Sequence, residues 1–216
     1  MTDFRQDFIR FAIANKAVSF GQFKTKAGRL SPYFFNSGLF NDGDSLHKLA
    51  QFYAKAILSS GVAFDVLFGP AYKGIPLVAA VAIALALSGR NAPFAFNRKE
   101  AKDHGEGGNI IGAALRGRVL IIDDAISAGT AVRESYDIIK SSGAVPCGVV
   151  VALDRMERGA GTLSAIQEVQ QKYSIPVISV ATLDDLVDYL RTDPARAPDL
   201  EAVGQYRKQY GVTAHV

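Results

Sequence analysis

Apolar and polar positions follow two rhythms along this chain, one helical and one of strand length, and their order sketches the fold. Phe4, Phe8, Phe11 and Ile13 recur at roughly helical spacing, which predicts an amphipathic helix from about Thr2 to Lys16. Val18 to Lys24 mixes apolar with polar residues and Tyr33 to Asn36 is aromatic-rich. With Ala27-Gly28 between them they suggest a hairpin carrying Lys26 near its tip. Asp44 to Ser59 reads as a helix with Leu46, Leu49, Phe52 or Tyr53, and Ala56 on its inner face and Gly61 at its end. From there strands and helices alternate. Asp65 to Phe68 is a strand, Gly69 to Gly74 a tight loop, and Ile75 to Leu87 an apolar run that falls short of the roughly 20 residues of a membrane span and so predicts a buried core helix. Phe94 to Phe96 is a short strand. Val119 to Ile122, four successive large apolar residues, suit a central parallel strand covered by helices on both faces. A helix from near Thr130 to about Ser142 follows, then a strand from Val149 to Leu153 and a helix marked by Ile166 and Val169 that runs to Tyr173. Val177 to Val180 forms the next strand, and Thr182-Leu-Asp-Asp185 is a capping box for a helix through Leu190. The remainder, with Pro194, Pro198, Tyr206 and Tyr210, reads as a packing tail. The class is therefore α/β, an open, mainly parallel twisted sheet flanked by helices. A small amino-terminal hood (1–40), a core (about 60–190) and a carboxyl-terminal packing segment (191–216) make up one domain, with no internal repeat.

The chemistry concentrates at strand ends. In an open α/β sheet, ligands bind outside the carboxyl ends of the strands, where Asp123 and Asp124 stand. Ala125, Ser127, Ala128, Gly129 and Thr130 follow them, small residues that let a backbone approach an anion, and the next helix points unpaired N–H groups at it. This is the composition of a phosphomonoester cradle. The plain alternative is that Asp124 or Thr130 merely caps the helix. Neither common nucleotide loop occurs: G-x-x-x-x-G-K-[ST] is absent, and Gly105 to Gly108 does not complete G-x-G-x-x-G. Lys73, bracketed by Gly69 and Gly74 at another strand end, could meet a pyrophosphate or be an ordinary turn lysine. Arg98 to Gly108 is a long, charged, glycine-rich loop. Its Arg98, Lys99, Lys102 and His104 suit a lid over a polyanion, or a solvated hairpin tip. One of the adjacent aromatics Phe34 and Phe35 must point away from the core, and an exposed ring beside a cation suits a flat anionic ligand. Arg155 or Arg158 could reach a carboxylate at a further strand end, or pair with Asp154 at the surface.

Composition narrows the classes. The chain has 216 residues, 49% of them apolar, enough for a full core. A net charge of +3, from 24 basic and 21 acidic residues, lacks the excess of a nucleic-acid binder. Cys147, the single cysteine, permits no intramolecular disulfide and reads as a buried strand thiol. His47, His104 and His215 show no ligand spacing, so no zinc site held by the protein is expected. The amino terminus has no uninterrupted apolar stretch of signal-peptide type, which predicts a cytoplasmic protein without membrane or nucleic-acid partners.

The stretch Val119 to Ala131 resembles the signature of the type I phosphoribosyltransferases. Assembled with Lys26 to Asn36, Gly69 to Gly74, Arg98 to Gly108 and Ala152 to Arg155, it makes the whole chain similar to the bacterial orotate phosphoribosyltransferases. The resemblance implies transfer of phosphoribosyl from 5-phosphoribosyl 1-pyrophosphate (PRPP) to orotate, giving orotidine 5′-phosphate and pyrophosphate, a step of pyrimidine biosynthesis. It places Lys26, Phe34, Phe35, Ser127 and Arg155 at orotate, with Lys26 also near the pyrophosphate. Tyr72, Lys73, Arg98, Lys99, Lys102 and His104 meet pyrophosphate, while Asp123, Asp124, Ala125, Ile126, Ser127, Ala128, Gly129, Thr130 and Ala131 hold ribose and 5′-phosphate. Lys102, His104, Asp123 and Asp124 carry the catalytic expectation. Two positions depart from the pattern: Ala125 stands where a larger apolar residue is usual, and Ser127 where threonine is. The resemblance further implies Mg²⁺ held mainly by substrate oxygens, and a homodimer whose lid reaches the neighbouring subunit's site. Displacement at an anomeric carbon passes through an oxocarbenium-like state, which needs charge stabilisation more than a protein nucleophile. Rival readings are a purine phosphoribosyltransferase and a PRPP-sensing regulator on the same fold.

Overall fold

The computed structural model describes residues 3–25, 27–102, 108–126, 129–159 and 161–212. Helix α1 (Phe4–Ala14) starts at Asp3, whose carboxylate accepts the Arg5 N–H, and buries Phe8, Ile9 and Ala12. Strands β1 (Val18–Lys24) and β2 (Leu30–Phe35) pair antiparallel as the expected hairpin, a sheet of their own. Helix α2 (Gly43–Ser60) is closed at its start by a capping box between Asp42 and Ser45 and at its end by Gly61 in the left-handed conformation (φ 68°). Its buried face includes Leu49, Phe52, Tyr53 and Ile57. Burial of each such side chain stabilises the fold by roughly 1.5–3 kcal/mol.

The main sheet contains β3 (Val66–Gly69), β4 (Phe94–Lys102), β5 (Gly108–Gly112), β6 (Arg118–Ile122), β7 (Val145–Asp154) and β8 (Val177–Thr182), in the order β5-β4-β3-β6-β7-β8. All pairings are parallel except β4 with β5. Helices α3 (Gly74–Leu87), α4 (Thr130–Ser141), α5 (Ala165–Tyr173) and α6 (Leu183–Arg191) connect or follow these strands, and α7 (Ala197–Tyr210) closes the described chain. Alternate residues of β6 enter different cores: Leu120 and Ile122 pack with the α2 and α3 side, Val119 and Ile121 with the α4 and α5 side. That two-sided burial is why this strand is apolar throughout.

The topology creates the crevice. After β3 the chain crosses to β4 on one side, and after β6 it crosses to β7 on the other, so the carboxyl ends of β3 and β6 border the point where the winding reverses. Gly69 and Ile122 therefore deliver their following loops side by side.

Three expectations need correction. Arg98, Lys99 and Lys102 do not belong to a loop: β4 continues to Lys102 and pairs with β5, with a register break between Asn97 and Lys102. Backbone pairing decides this, since ladder hydrogen bonds form without an apolar side-chain pattern. Helix α3 is not buried all round, because Ile83 and Leu87 on its outer side are 60% and 74% exposed. Strand β7 begins at Val145, earlier than expected, and Cys147 within it is half-buried. The tail forms a helix of 14 residues that buries Val203 and Tyr206. Among the described residues no helix is long and apolar enough to cross a membrane.

Candidate active site

At the mouth of the crevice the Asp124 carboxylate takes two donors on one oxygen. Lys73 Nζ lies 2.7 Å and Ser37 Oγ 2.5 Å from Oδ2, and Lys73 Nζ also lies 3.4 Å from Ser37 Oγ. Lys73 comes from the β3–α3 loop, Asp124 from the end of β6, and Ser37 from a short 3-10 turn (Ser37–Leu39) just after β2. The turn is set by Asn36, whose side chain accepts the Gly38 N–H at 3.0 Å. A recess of about 220 Å³ opens beside these groups, walled by Phe40, Leu46, Leu49, Pro76 and Leu77.

Asp123, by contrast, is almost wholly buried, 6% exposed. Its Oδ1 accepts the Asp124 N–H at 2.9 Å, and its carbonyl accepts the buried Tyr53 hydroxyl at 2.8 Å. Burial first, then the adjoining Asp124 charge, pushes its carboxyl up to about 7. The pair thus divides in character: one carboxylate buried and hard to ionise, the other half-exposed and bonded to an ammonium. Lys73 is 58% exposed along its side chain, so the Lys73–Asp124 pair contributes at most about 1 kcal/mol and can be exchanged for another partner.

The β3–α3 turn depends on its two glycines. A Cβ on Gly69 would overlap the Gly74 carbonyl oxygen, and one on Gly74 would fall 2.7 Å from Pro70 Cδ. Ala71 N–H, in the same turn, donates to Asn97 Oδ1 on β4 at 2.9 Å. Tyr72 follows a cis peptide bond, is 67% exposed, and has Lys99 Nζ 5.3 Å from its ring centroid. Arg98 is half-buried on β4. After β6, Ala125 and Ile126 are half-buried, and Gly129 starts α4 in the left-handed conformation (φ 67°) with no side chain capping the helix. Among the described residues neither Asp124 nor Thr130 is the cap residue, and the positive end of the helix dipole lies at the end of the β6–α4 loop. Thr130 is exposed and Ala131 half-buried at that terminus.

On the hood side, Phe34 is 46% exposed and stacks on Phe23 with centroids 5.5 Å apart, whereas Phe35 packs against the core. Arg155, just past the end of β7, reaches the same hairpin: Nη2 donates to Ser31 Oγ at 3.0 Å and the guanidinium lies 4.4 Å over the Tyr33 ring. Among the described residues Asp154 does not pair with an arginine. It accepts the Met156 N–H at 2.8 Å, while Arg158 turns its guanidinium toward Tyr210, 5.8 Å from the ring centroid. Lys26, His104, Ser127 and Ala128 lie outside the described residues, and Lys102 is placed on β4 by its backbone.

A model of the phosphoribosyl transferase domain matches residues 40–177. The orotate phosphoribosyltransferase of Thiobacillus denitrificans is 66% identical over 212 residues, covering 98% of this chain and 100% of that relative. This chain belongs to the orotate phosphoribosyltransferase family. The crystal structure of the orotate phosphoribosyltransferase of Francisella tularensis superposes with a TM-score of 0.87 at 43% identity, over 95% of this chain and 100% of that one. The Mycobacterium tuberculosis orotate phosphoribosyltransferase, solved with 5-phospho-α-D-ribosyl 1-diphosphate, shares the fold at a TM-score of 0.62 and 18% identity, over 84% of this chain and 98% of that one.

Sequence reasoning missed three residues at this orotate phosphoribosyltransferase site. Ser37, Asn97 and Tyr53 bond respectively to Asp124, to the β3–α3 turn and to the Asp123 carbonyl. The helical spacing offers Phe52 or Tyr53 only as an inner-face residue, and no local pattern separates a tyrosine that packs from one that also donates. Asn97, directly after Phe96, could have been suspected as a polar residue at a strand end.

Proposed function

We propose that the chain transfers phosphoribosyl from PRPP to orotate, and that the observation carrying this reading is the meeting of Asp123, Asp124 and Lys73 at the winding reversal beside the α4 amino terminus. The bond between the anomeric carbon and pyrophosphate breaks, pyrophosphate leaving with the electron pair. A ring nitrogen of orotate supplies the new pair and gives up its proton. Asp123 and Asp124 hold the ribose hydroxyls, the α4 terminus with Ala125 to Ala131 takes the 5′-phosphate, and Lys73 exchanges Asp124 for a pyrophosphate oxygen. Tyr72, Arg98, Lys99, Lys102 and His104 close on the leaving group from the β4–β5 side, and Lys26 reaches both pyrophosphate and base. Phe34 and Phe35 flank the orotate ring, with Ser127 beside it, and Arg155 binds its carboxylate, a group that purines lack.

Two carboxylates suit a hard cation that arrives with substrate oxygens. Mg²⁺ would be held mainly by PRPP oxygens, with Asp123 and Asp124 alongside. When bound it supplies positive charge against the pyrophosphate. A second copy of the chain would cover the exposed apolar side of α3 at Ile83 and Leu87, together with Leu58 of α2, and offer its β4–β5 arm to the neighbouring crevice.

Purified protein mixed with orotate, PRPP and Mg²⁺ should deplete orotate absorbance, more slowly once the cation is chelated. Depletion with a purine base and none with orotate would reverse the assignment of base.

A further inference from the structure

We infer that Glu157, held by Tyr206 of the carboxyl-terminal helix, is the positioning residue that presents the Arg155 guanidinium to the carboxylate of the base, so that α7 takes part in base selection. The inference rests on the reading that Arg155 meets the orotate carboxylate.

An arginine recognises a carboxylate well only when its planar fork is oriented beforehand, because a free side chain loses much rotamer freedom on binding. Here the fork is held from three directions. Glu157 Oε2 accepts Nε at 2.8 Å, Ser31 Oγ accepts Nη2 at 3.0 Å, and the Tyr33 ring lies under the guanidinium at 4.4 Å. Among the described residues Nη1 takes no hydrogen-bond partner.

Glu157 is itself fixed from elsewhere. Its Oε1 accepts the Tyr206 hydroxyl, and Arg29 Nη1 stands 3.9 Å from the same oxygen. Arg29 also donates to the carbonyls of Arg158 at 2.6 Å and Gly159 at 2.8 Å, tying the hood to this turn. Met156, between Arg155 and Glu157, takes a left-handed backbone (φ 48°), and its carbonyl accepts the Val212 N–H just past α7 at 2.8 Å. That turn sets Arg155 and Glu157 on the same side. One carboxylate then serves two guanidiniums, Arg155 and Arg29, so the cluster keeps a net positive charge for an anionic ligand. A carboxylate whose sole task was to anchor α7 would not need to engage the edge of Arg155.

The test is a double-mutant cycle on the full chain, read by the KM values for orotate and for PRPP, with folding checked by circular dichroism. Glu157→Gln should raise the orotate KM by about tenfold and leave the PRPP KM and kcat within about twofold, and this penalty should vanish when Arg155→Leu is already present. Tyr206→Phe should act in the same direction by about threefold and again show no effect on the Arg155→Leu background. If Glu157→Gln does not fold, Tyr206→Phe decides the matter. An orotate KM indifferent to Arg155→Leu would remove the underlying reading of the carboxylate contact. A large effect of Arg155→Leu, joined to no effect of the Glu157 and Tyr206 variants or to one of equal size in both backgrounds, would overturn the positioning role alone.

Discussion

The floor of the crevice and the β4–β5 arm beside it belong to one sheet, yet they are built on opposite terms. The floor sits at the end of β6, where Val119 to Ile122 are fully buried, and Asp123 and Asp124 inherit fixed positions from that packing. The arm grows from β4, whose first residues pack on the cores and whose later ones, Arg98 to Lys102, are charged or small. Its strand pairing breaks register between Asn97 and Lys102. A single strand thus runs from apolar scaffold into a stretch rich in cations. On the proposed reading the acids that hold the sugar are set on a rigid, buried strand end, whereas the cations that meet the leaving group sit on the later part of a strand. Floor substitutions should therefore act on substrate binding and arm substitutions on rate.

The largest expected effect is on the floor. Asp124→Asn should weaken PRPP binding by about 3 kcal/mol, roughly a hundredfold or more, without changing the circular dichroism spectrum. Calorimetry with PRPP would show it, and wild-type affinity in the variant would dissolve the distinction between floor and arm. Next comes the arm, where Lys102→Ala should lower kcat by about 2 kcal/mol of barrier with a smaller rise in KM. Mixing Lys102→Ala chains with Asp124→Asn chains should restore part of the activity in heterodimers, since one composite site would then carry both native groups. Verified heterodimers without recovery would assign the arm to its own subunit.

Two smaller effects sharpen the picture of the floor. Ser37→Ala removes one donor from Asp124 but leaves Lys73, and should raise the KM for PRPP a few-fold, about 1 kcal/mol, with kcat little altered. Asp123 should leave a signature in pH. Its folded value of about 7 exceeds the ordinary 3.8, so the neutral acid favours the folded state, and this contribution is fully present below about pH 4 and lost as pH rises through about 7. Thermal melts of the ligand-free protein should accordingly fall across that window, and Asp123→Asn should flatten the fall. If PRPP arrives with Mg²⁺ beside Asp123 as proposed, binding would favour the ionised form, and at pH 7 it should release a fraction of a proton, visible as a dependence of the calorimetric enthalpy on buffer ionisation.

What the sequence determined by itself is whatever burial imposes locally. The apolar run of Val119 to Ile122, the helical spacing of Leu46, Leu49, Phe52 and Ala56, and the Thr182 capping box were legible because each states its surroundings within a few neighbours. The same holds for the two acids at the end of β6 and for the glycines around Lys73, which mark strand ends where a backbone turns sharply. Tertiary structure alone decided which strand ends lie together and what bonds across them. Ser37 and Asp124 are 87 positions apart, Ser31 and Arg155 124, and Arg29 and Gly159 130. It also decided that charged residues after Phe96 continue a strand, through ladder bonds that depend on the backbone of β5 rather than on any side chain. Polar side chains carry no periodic burial signal, so their partners emerge only when the winding of the sheet and the seating of the hood and α7 bring distant segments within hydrogen-bond reach.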